Sequence, residues 1–238
     1  MKQMNLQRSA RIPGFTLVEM LVVIAIIGIL AALLFPAFNA INARALRNKA
    51  RGELKQVEAA IESYHAKYSH YPPDNTSYPV TDARRFALNQ LFYELFGTIN
   101  TNNIYATRDG REQIAAGSIS TAFGTGVSGF VNSERPGGDD AVGASAKNFF
   151  PSGLLPSRIG QVTNSGVRYA VLTTSIPWPK DLGPVANGAG FANDLNPVRY
   201  NSSAPTHNQK SYDLWIDIVI RGKTNRISNW NASHEIVN

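Results

Sequence analysis

FTLVEMLVVIAIIGILAALLFPAF, residues 15–38, holds one charged side chain, Glu19, in twenty-four positions. A helix needs about 20 mostly apolar residues to cross a bilayer core about 30 Å thick. This run has that length and composition, and nothing later in the chain does. The competing reading is a cleaved secretory signal, because Lys2, Arg8 and Arg11 precede the run with no acid among them. A signal's apolar region is typically about 7–15 residues and free of acids. The one small-x-small site nearby, Ala43-Arg44-Ala45, lies beyond the run. A retained span is therefore the better reading. Charge alone does not orient it, since three basic residues precede it and Arg44, Arg47, Lys49 and Arg51 follow. Glu19 asks for a partner, because a carboxylate deep in a spanning helix is costly unless it pairs or reaches the interface. Pro36 removes one backbone hydrogen bond and loosens the helix there. Ala25, Gly28 and Ala32 form a small-residue strip suited to close helix contact.

Working outward, the 238 residues leave room for one globular domain beside this segment. The chain has no cysteine, which removes disulfide scaffolds, thiol nucleophiles and thiolate zinc sites together. Its 23 Lys and Arg stand against 17 Asp and Glu, a net charge of +6. Three of those cations precede Phe15; the remainder balances at only +3, a poor basis for nucleic-acid binding.

After Pro36 no proline intervenes before Pro72. Leu54, Val57, Ile61, Tyr64 and Tyr68 recur at three- and four-residue spacing, an amphipathic stripe that suits packing on a sheet. The spacing predicts one helix from Thr16 to Ser69, about 80 Å long at about 1.5 Å per residue. Gly52 is its weak point and Tyr71-Pro72-Pro73-Asp74 its end. Asp82 to Phe96 reads as a second helix, capped by Thr81 or Asp82 and stopped by Gly97. Residues 98–165, rich in Gly, Asn, Ser and Thr, read as a long loop region, and Gly166 to Ser175 as a strand. Pro177 to Thr206 reads as irregular chain. Tyr212 to Ile220 alternates as a strand with one face buried, which puts Asp213 and Asp217 on the exposed face. Arg221 to Thr224 reads as a turn and Asn225 to Trp230 as the return strand. The class is α+β, a long helix packed on a small antiparallel sheet with long irregular loops.

Arg11-Ile12-Pro13-Gly14-Phe15-Thr16-Leu17-Val18-Glu19, with the apolar run behind it, resembles the leader of type IV pilins and type II secretion pseudopilins. That resemblance implies a pilin-like fold and a cut by prepilin peptidase between Gly14 and Phe15, with methylation of the new Phe15 amine. It also implies assembly roles for Glu19, which would meet the amine of a neighbouring subunit, and for Pro36. Two buried opposite charges offset each other where either alone is costly. The chain then divides into a cleaved leader, 1–14; a transmembrane half-helix, 15–38; an amphipathic half, 39–71; and a head, 72–238. The leader would stay in the cytoplasm, with a single pass through the bacterial inner membrane and a periplasmic head. Ala60 to Pro73, with its tyrosines and Tyr-Pro end, and the two YDLW- and ISNW-bearing strands resemble the major pseudopilin of type II secretion. In that protein the hairpin loop is acidic and helps bind calcium. Here it reads Arg221-Gly222-Lys223-Thr224-Asn225, so calcium, which prefers about six to eight oxygen ligands, is not carried over. Asp213 and Asp217 are the remaining metal candidates, with exposed-strand charges the commoner explanation.

No catalytic constellation is present in the sequence, and no cofactor is expected. Gly124 to Gly129 spells G-x-G-x-x-G, but Pro136-Gly137-Gly138 follows where a dinucleotide fold would open a helix. The four histidines show no metal-ligand spacing. The expected partners are further copies of the chain and other pseudopilins, the peptidase, an inner-membrane assembly platform and the lipid bilayer. The expected role is a subunit of a type II secretion pseudopilus. The alternative is a minor subunit of a type IV pilus or competence pseudopilus that binds DNA or a surface.

Overall fold

The structure, a computed structural model, describes residues 14–135, 145–150, 153–185 and 190–237, and within these every side chain but those of residues 33–39. The leader's Lys2, Arg8 and Arg11, the Pro36 side chain and parts of 98–165 lie outside the described residues. The chain forms two units, Met1–Ala45 and Leu46–Asn238.

Helix α1 runs from Leu17 to Tyr68, 52 residues, within one residue of the expected bounds at each end. It ends where Ser69 takes a left-handed backbone (φ 62°), just before Tyr71-Pro72-Pro73. Gly52 does not interrupt it. In the first unit the described apolar side chains stand in the open: Phe15 is 70% exposed, Leu17 80% and Ile24 65%. Among the described residues no helix is long and apolar enough to cross a membrane. The described apolar part of α1, Leu17 to Ala32, is sixteen residues long, against the about 20 that a bilayer core requires.

In the second unit the amphipathic stripe is buried except at its last member, Tyr68, which is half-buried. Leu54, Val57, Ile61 and Tyr64 are joined by Ala50 and Ala60, all at 1% exposure or less. Polar side chains flanking the stripe tie α1 to the rest of its unit. Tyr212 Oη donates to Glu62 Oε1 at 3.0 Å. Glu53, which a strict stripe would leave in water, accepts from Thr174 Oγ1 at 2.6 Å and Ser175 N–H at 3.0 Å.

The expected single helix over Asp82–Phe96 is two helices, α2 (Ala83–Ala87) and α3 (Leu91–Phe96). Asn89 makes the break. Its Oδ1 accepts from Leu91 N–H at 3.2 Å, and its Nδ2 donates to Val198 O at 3.0 Å, so a buried long-range bond outweighs helix continuity. Asp82 does cap α2, accepting from Arg84 N–H, and Gly97 at φ 71° does end α3.

The reading of 98–165 as one long loop is overturned. Strands β1 (Thr98–Thr101), β2 (Ile104–Thr107), β3 (Gln113–Ala115) and β4 (Ser133–Glu134) form a sheet in the order β3-β2-β1-β4. Within it only the β1–β4 pair is parallel. Helix α4 (Ala116–Phe123) follows β3. β5 (Ile159–Asn164) pairs with β6 (Val167–Leu172), the strand expected over 166–175. β7 (Arg199–Asn201) appears inside the stretch read as irregular.

β8 (Asp213–Ile220), β9 (Lys223–Ser228) and β10 (Glu235–Val237) complete an antiparallel sheet in the order β10-β9-β8-β7. The β8–β9 turn is two residues, Arg221 and Gly222, at φ 52° and 72°, with Ile220 paired to Lys223. It is shorter than the four-residue turn expected, and both left-handed positions match the strand twist of a tight hairpin.

Candidate functional site

The sequence-marked site lies at the amino end of α1. Gly14, Phe15 and Thr16 precede the helix in no regular structure, and all three are exposed. Among the described residues nothing lies within 4 Å of where a Cβ on Gly14 would stand. The Gly14–Phe15 bond is uncovered among the described residues and lies outside the helix, the state a protease needs of its substrate. Two residues on, Thr16 and Glu19 satisfy each other. Thr16 N–H and Oγ1 donate to Glu19 Oε2 at 2.8 and 2.7 Å, and Glu19 N–H donates to Thr16 Oγ1 at 3.2 Å. This is a capping box, in which the first orphan amides of a helix are paired reciprocally. Sequence reasoning gave Glu19 a partner only in a neighbouring subunit. The signal for a local one, T-x-x-E ahead of an apolar run, was in plain view.

The two candidate metal residues are not on an exposed face. Asp213 is 2% and Asp217 6% exposed, because both faces of β8 are covered. Burial pushes the Asp213 carboxyl up, but main-chain N–H groups outweigh it and hold the acid below its ordinary value. Asn208, His207 and Thr206 donate at 2.8, 3.0 and 2.7 Å. Asp217 is likewise raised by burial but lowered overall by Arg199 and Arg226. Arg226 grips it bidentately at 2.9 and 3.0 Å, and Arg199 Nε lies 3.6 Å away. Asp213 is engaged by three main-chain N–H donors and Asp217 is neutralised by two arginines, and cations rather than carboxylates flank the hairpin turn. These residues do not fit a calcium ion. Among the described residues no group of three or more metal-ligating side chains comes together.

The G-x-G-x-x-G stretch also has a structural role. Gly124 (φ 117°) ends α4 and opens no helix, and a Cβ there would meet the Ser77 hydroxyl at 2.4 Å.

The amino-terminal geometry belongs with what the chain matches. It carries the prokaryotic N-terminal methylation motif, at residues 10–35. The type IV major pilin protein PilE of Neisseria gonorrhoeae is 42% identical over 64 residues, 27% of this chain and 38% of that protein. The type II secretion system core protein G of Escherichia coli is 40% identical over 62 residues, 26% of this chain and 43% of its own. The type IV major pilin protein PilA of Myxococcus xanthus is 41% identical over 58 residues, covering 24% of this chain and 26% of that pilin. These relatives are structural pilin and pseudopilin subunits, not enzymes. The match spans about two fifths or less of their length and falls in the N-terminal 27% of this chain, so it reaches α1 and stops short of the sheets. No solved structure matches significantly.

Proposed function

We propose that this chain is a structural subunit of an inner-membrane filament of the type II secretion pseudopilus kind. Residues 15–38 span the membrane, the leader lies in the cytoplasm and the head in the periplasm. Prepilin peptidase cuts between Gly14 and Phe15 and methylates the Phe15 amine. The observation that carries this reading is the methylation motif at residues 10–35, whose Gly14, Phe15 and Thr16 are exposed and non-helical and whose remainder from Leu17 lies in a 52-residue helix. Exposed apolar side chains from Phe15 to Leu30 support it, since such a surface needs lipid or other helices around it. Once the leader is gone, Glu19 meets the amine of a neighbouring Phe15, and Pro36 lets the helix loosen as subunits leave the bilayer. Each subunit adds head to tail, which builds an open filament and not a closed ring. Motor work comes from elsewhere in the machine; this chain supplies shape.

The match to type IV major pilins at 42% identity favours one second reading, a minor subunit of a type IV pilus or competence pseudopilus. The Tyr71-Pro72 helix end and the closing hairpin favour secretion. The test of the processing step is the intact mass of the protein from cells with and without prepilin peptidase. The expected species is a chain that begins at Phe15 and is one methyl heavier, absent without the peptidase. A leader retained in both strains overturns the proposal. Deleting the gene then separates the two filaments: loss of exported proteins marks secretion, and loss of surface fibres or DNA uptake marks the alternative.

A further inference from the structure

The basic hairpin turn, where the resemblance led to an acidic one, is left unused by the reading above. In the second unit, β8 runs antiparallel to the helix. Tyr212, at its start, bonds Glu62. Asn225, a few residues beyond its end on β9, accepts from Arg47 Nε at 3.1 Å. Asn225 pairs with Ile218, so the turn Arg221-Gly222 projects beyond the Arg47 contact, at the end of the unit that holds the first residues of its helix. β10 lies on the outer edge of the same sheet, with Ile236 opposite Asn225. Just ahead of β10, Arg51 donates to Asn231 O at 3.4 Å and Ser233 O at 3.1 Å. His234 follows directly on Ser233, and partial burial with Arg47 and Arg51 holds its pKa below the ordinary value, so it adds no charge at neutral pH.

The result is a collar of Arg47, Arg51, Arg221 and Lys223 at one end of the unit, with Lys49 on the same turn of the helix. Among the described residues none of its Lys or Arg members forms an ion pair with a carboxylate. Arg47 and Arg51 are held by an amide and two carbonyls, acceptors that fix the guanidiniums in place without cancelling their charge. The nearest acid on β10, Glu235, accepts from Trp230 Nε1 and Asn231 Nδ2 instead. Lys49, Arg221 and Lys223 stand exposed. In the chain, the collar's helical members begin nine residues after the apolar run ends at Phe38. A cluster of cations that follows a membrane segment in the chain has a natural complement in a layer of lipid phosphates.

We propose that this collar seats the head on the bilayer by binding the phosphates of anionic lipid headgroups. It replaces the acidic hairpin with a surface that holds an unassembled subunit flat on the membrane until assembly lifts it away. The proposal rests on the reading that residues 15–38 lie in the membrane. Each cation beside an anionic leaflet shifts the docked-to-free ratio about fivefold, and two shift it about 25-fold. The attraction fades over about 8 Å at physiological salt, so only groups at the surface count.

The absence of cysteine gives a clean probe. The full-length Thr224→Cys chain, spin-labelled, is reconstituted in vesicles of phosphatidylcholine alone or mixed with phosphatidylglycerol. Exposure of the label to lipid-soluble oxygen is compared with exposure to a water-soluble nickel chelate, and flotation reports insertion. The expected result is a label at headgroup depth only with phosphatidylglycerol, released by high salt and by Arg221→Gln with Lys223→Gln. Ser233→Cys repeats the measurement from the β10 side if the first site disturbs the hairpin. A label equally sheltered in both lipids, or unmoved by the charge removal, overturns the proposal. So does shelter that appears only as protein is crowded on the vesicle, which would mark contact between copies. If the chain floats in both lipids while the label stays in water, the collar idea alone fails. If it does not float at all, the membrane reading fails and takes the collar with it.

Discussion

Glu94 is the residue whose environment speaks most directly about stability. It is fully buried in α3, and the three groups that face its carboxylate all donate. Val131 N–H reaches Oε1 at 2.9 Å, while Asn132 N–H and Tyr64 Oη reach Oε2 at 3.0 and 3.1 Å. Burial raises its pKa, opposed by those main-chain N–H groups, the Tyr64 hydroxyl and the nearby His70. A raised pKa means the folded chain keeps a proton that the unfolded chain has released. Its stabilising effect is therefore fully present below the ordinary carboxylate value of 4.5 and is lost as pH climbs through the folded value. Glu94→Gln separates charge from geometry. It removes the buried charge but turns an NH2 toward a main-chain donor, so at least one bond is lost. The expected cost at neutral pH is about 2 kcal/mol in urea unfolding, together with loss of this pH slope. A Gln variant as stable as the parent at neutral pH would show that the three donors contribute less than the charge costs. At the same scale, the Thr16–Glu19 box was legible as a four-residue pattern. The burial of Glu53 and Glu94 was not, because their partners lie far away in the chain.

At the scale of elements, the β8–β9 hairpin holds a non-glycine residue where glycine or asparagine is favoured. Arg221 sits at φ 52°, in a left-handed position that costs a branched or long side chain about 1 kcal/mol. Arg221→Asn is expected to raise the unfolding temperature by a few degrees while it strips a cation from the collar. Gly222→Val, at φ 72°, is expected to lower it by more. Equal unfolding temperatures for all three would mean the turn relaxes at no cost. That a functional surface keeps a locally unfavourable arginine is the pattern expected of a site selected for charge. Elements with a strong periodic signal were legible in the sequence: α1 to within one residue, and β6, β8 and the caps at Asp82 and Gly97. The misses have separate physical causes. β1 to β3 are three or four residues each, too short for alternation to rise above composition. The α2–α3 break depends on Asn89 reaching Val198, 109 positions later. Asp213 and Asp217 alternate with apolar residues as exposed charges would, yet Phe86, Trp230 and the Arg199–Arg226 pair close over that side. Phe86 and Trp230 both pack on Trp215 between them.

For the whole molecule, the division into two units predicts which half carries stability. Among the described residues every side chain in the apolar core, from Ala50 to Ile227, belongs to residues 46–238, and the apolar side chains of the first unit are exposed or nearly so. The twelve largest fully buried side chains include Leu54, Ile61 and Tyr64 of the helix, so the head is incomplete without residues 46–68. A chain of residues 46–238 is therefore expected to be soluble and monomeric, and to unfold cooperatively at the temperature of the full chain in detergent. One that starts at Pro72 is expected to fail, because it loses a stripe whose large members each contribute about 1.5–3 kcal/mol of burial. Size-exclusion chromatography and thermal circular dichroism read both outcomes. If residues 46–238 aggregated or melted without a transition, the first unit would have to contribute to the core. If the chain from Pro72 folded, the stripe would be a docked accessory. The expected result gives the two units different tasks: residues 46–238 fold by themselves, and the apolar run, which adds nothing to that core, is left free for the membrane and filament roles proposed for it.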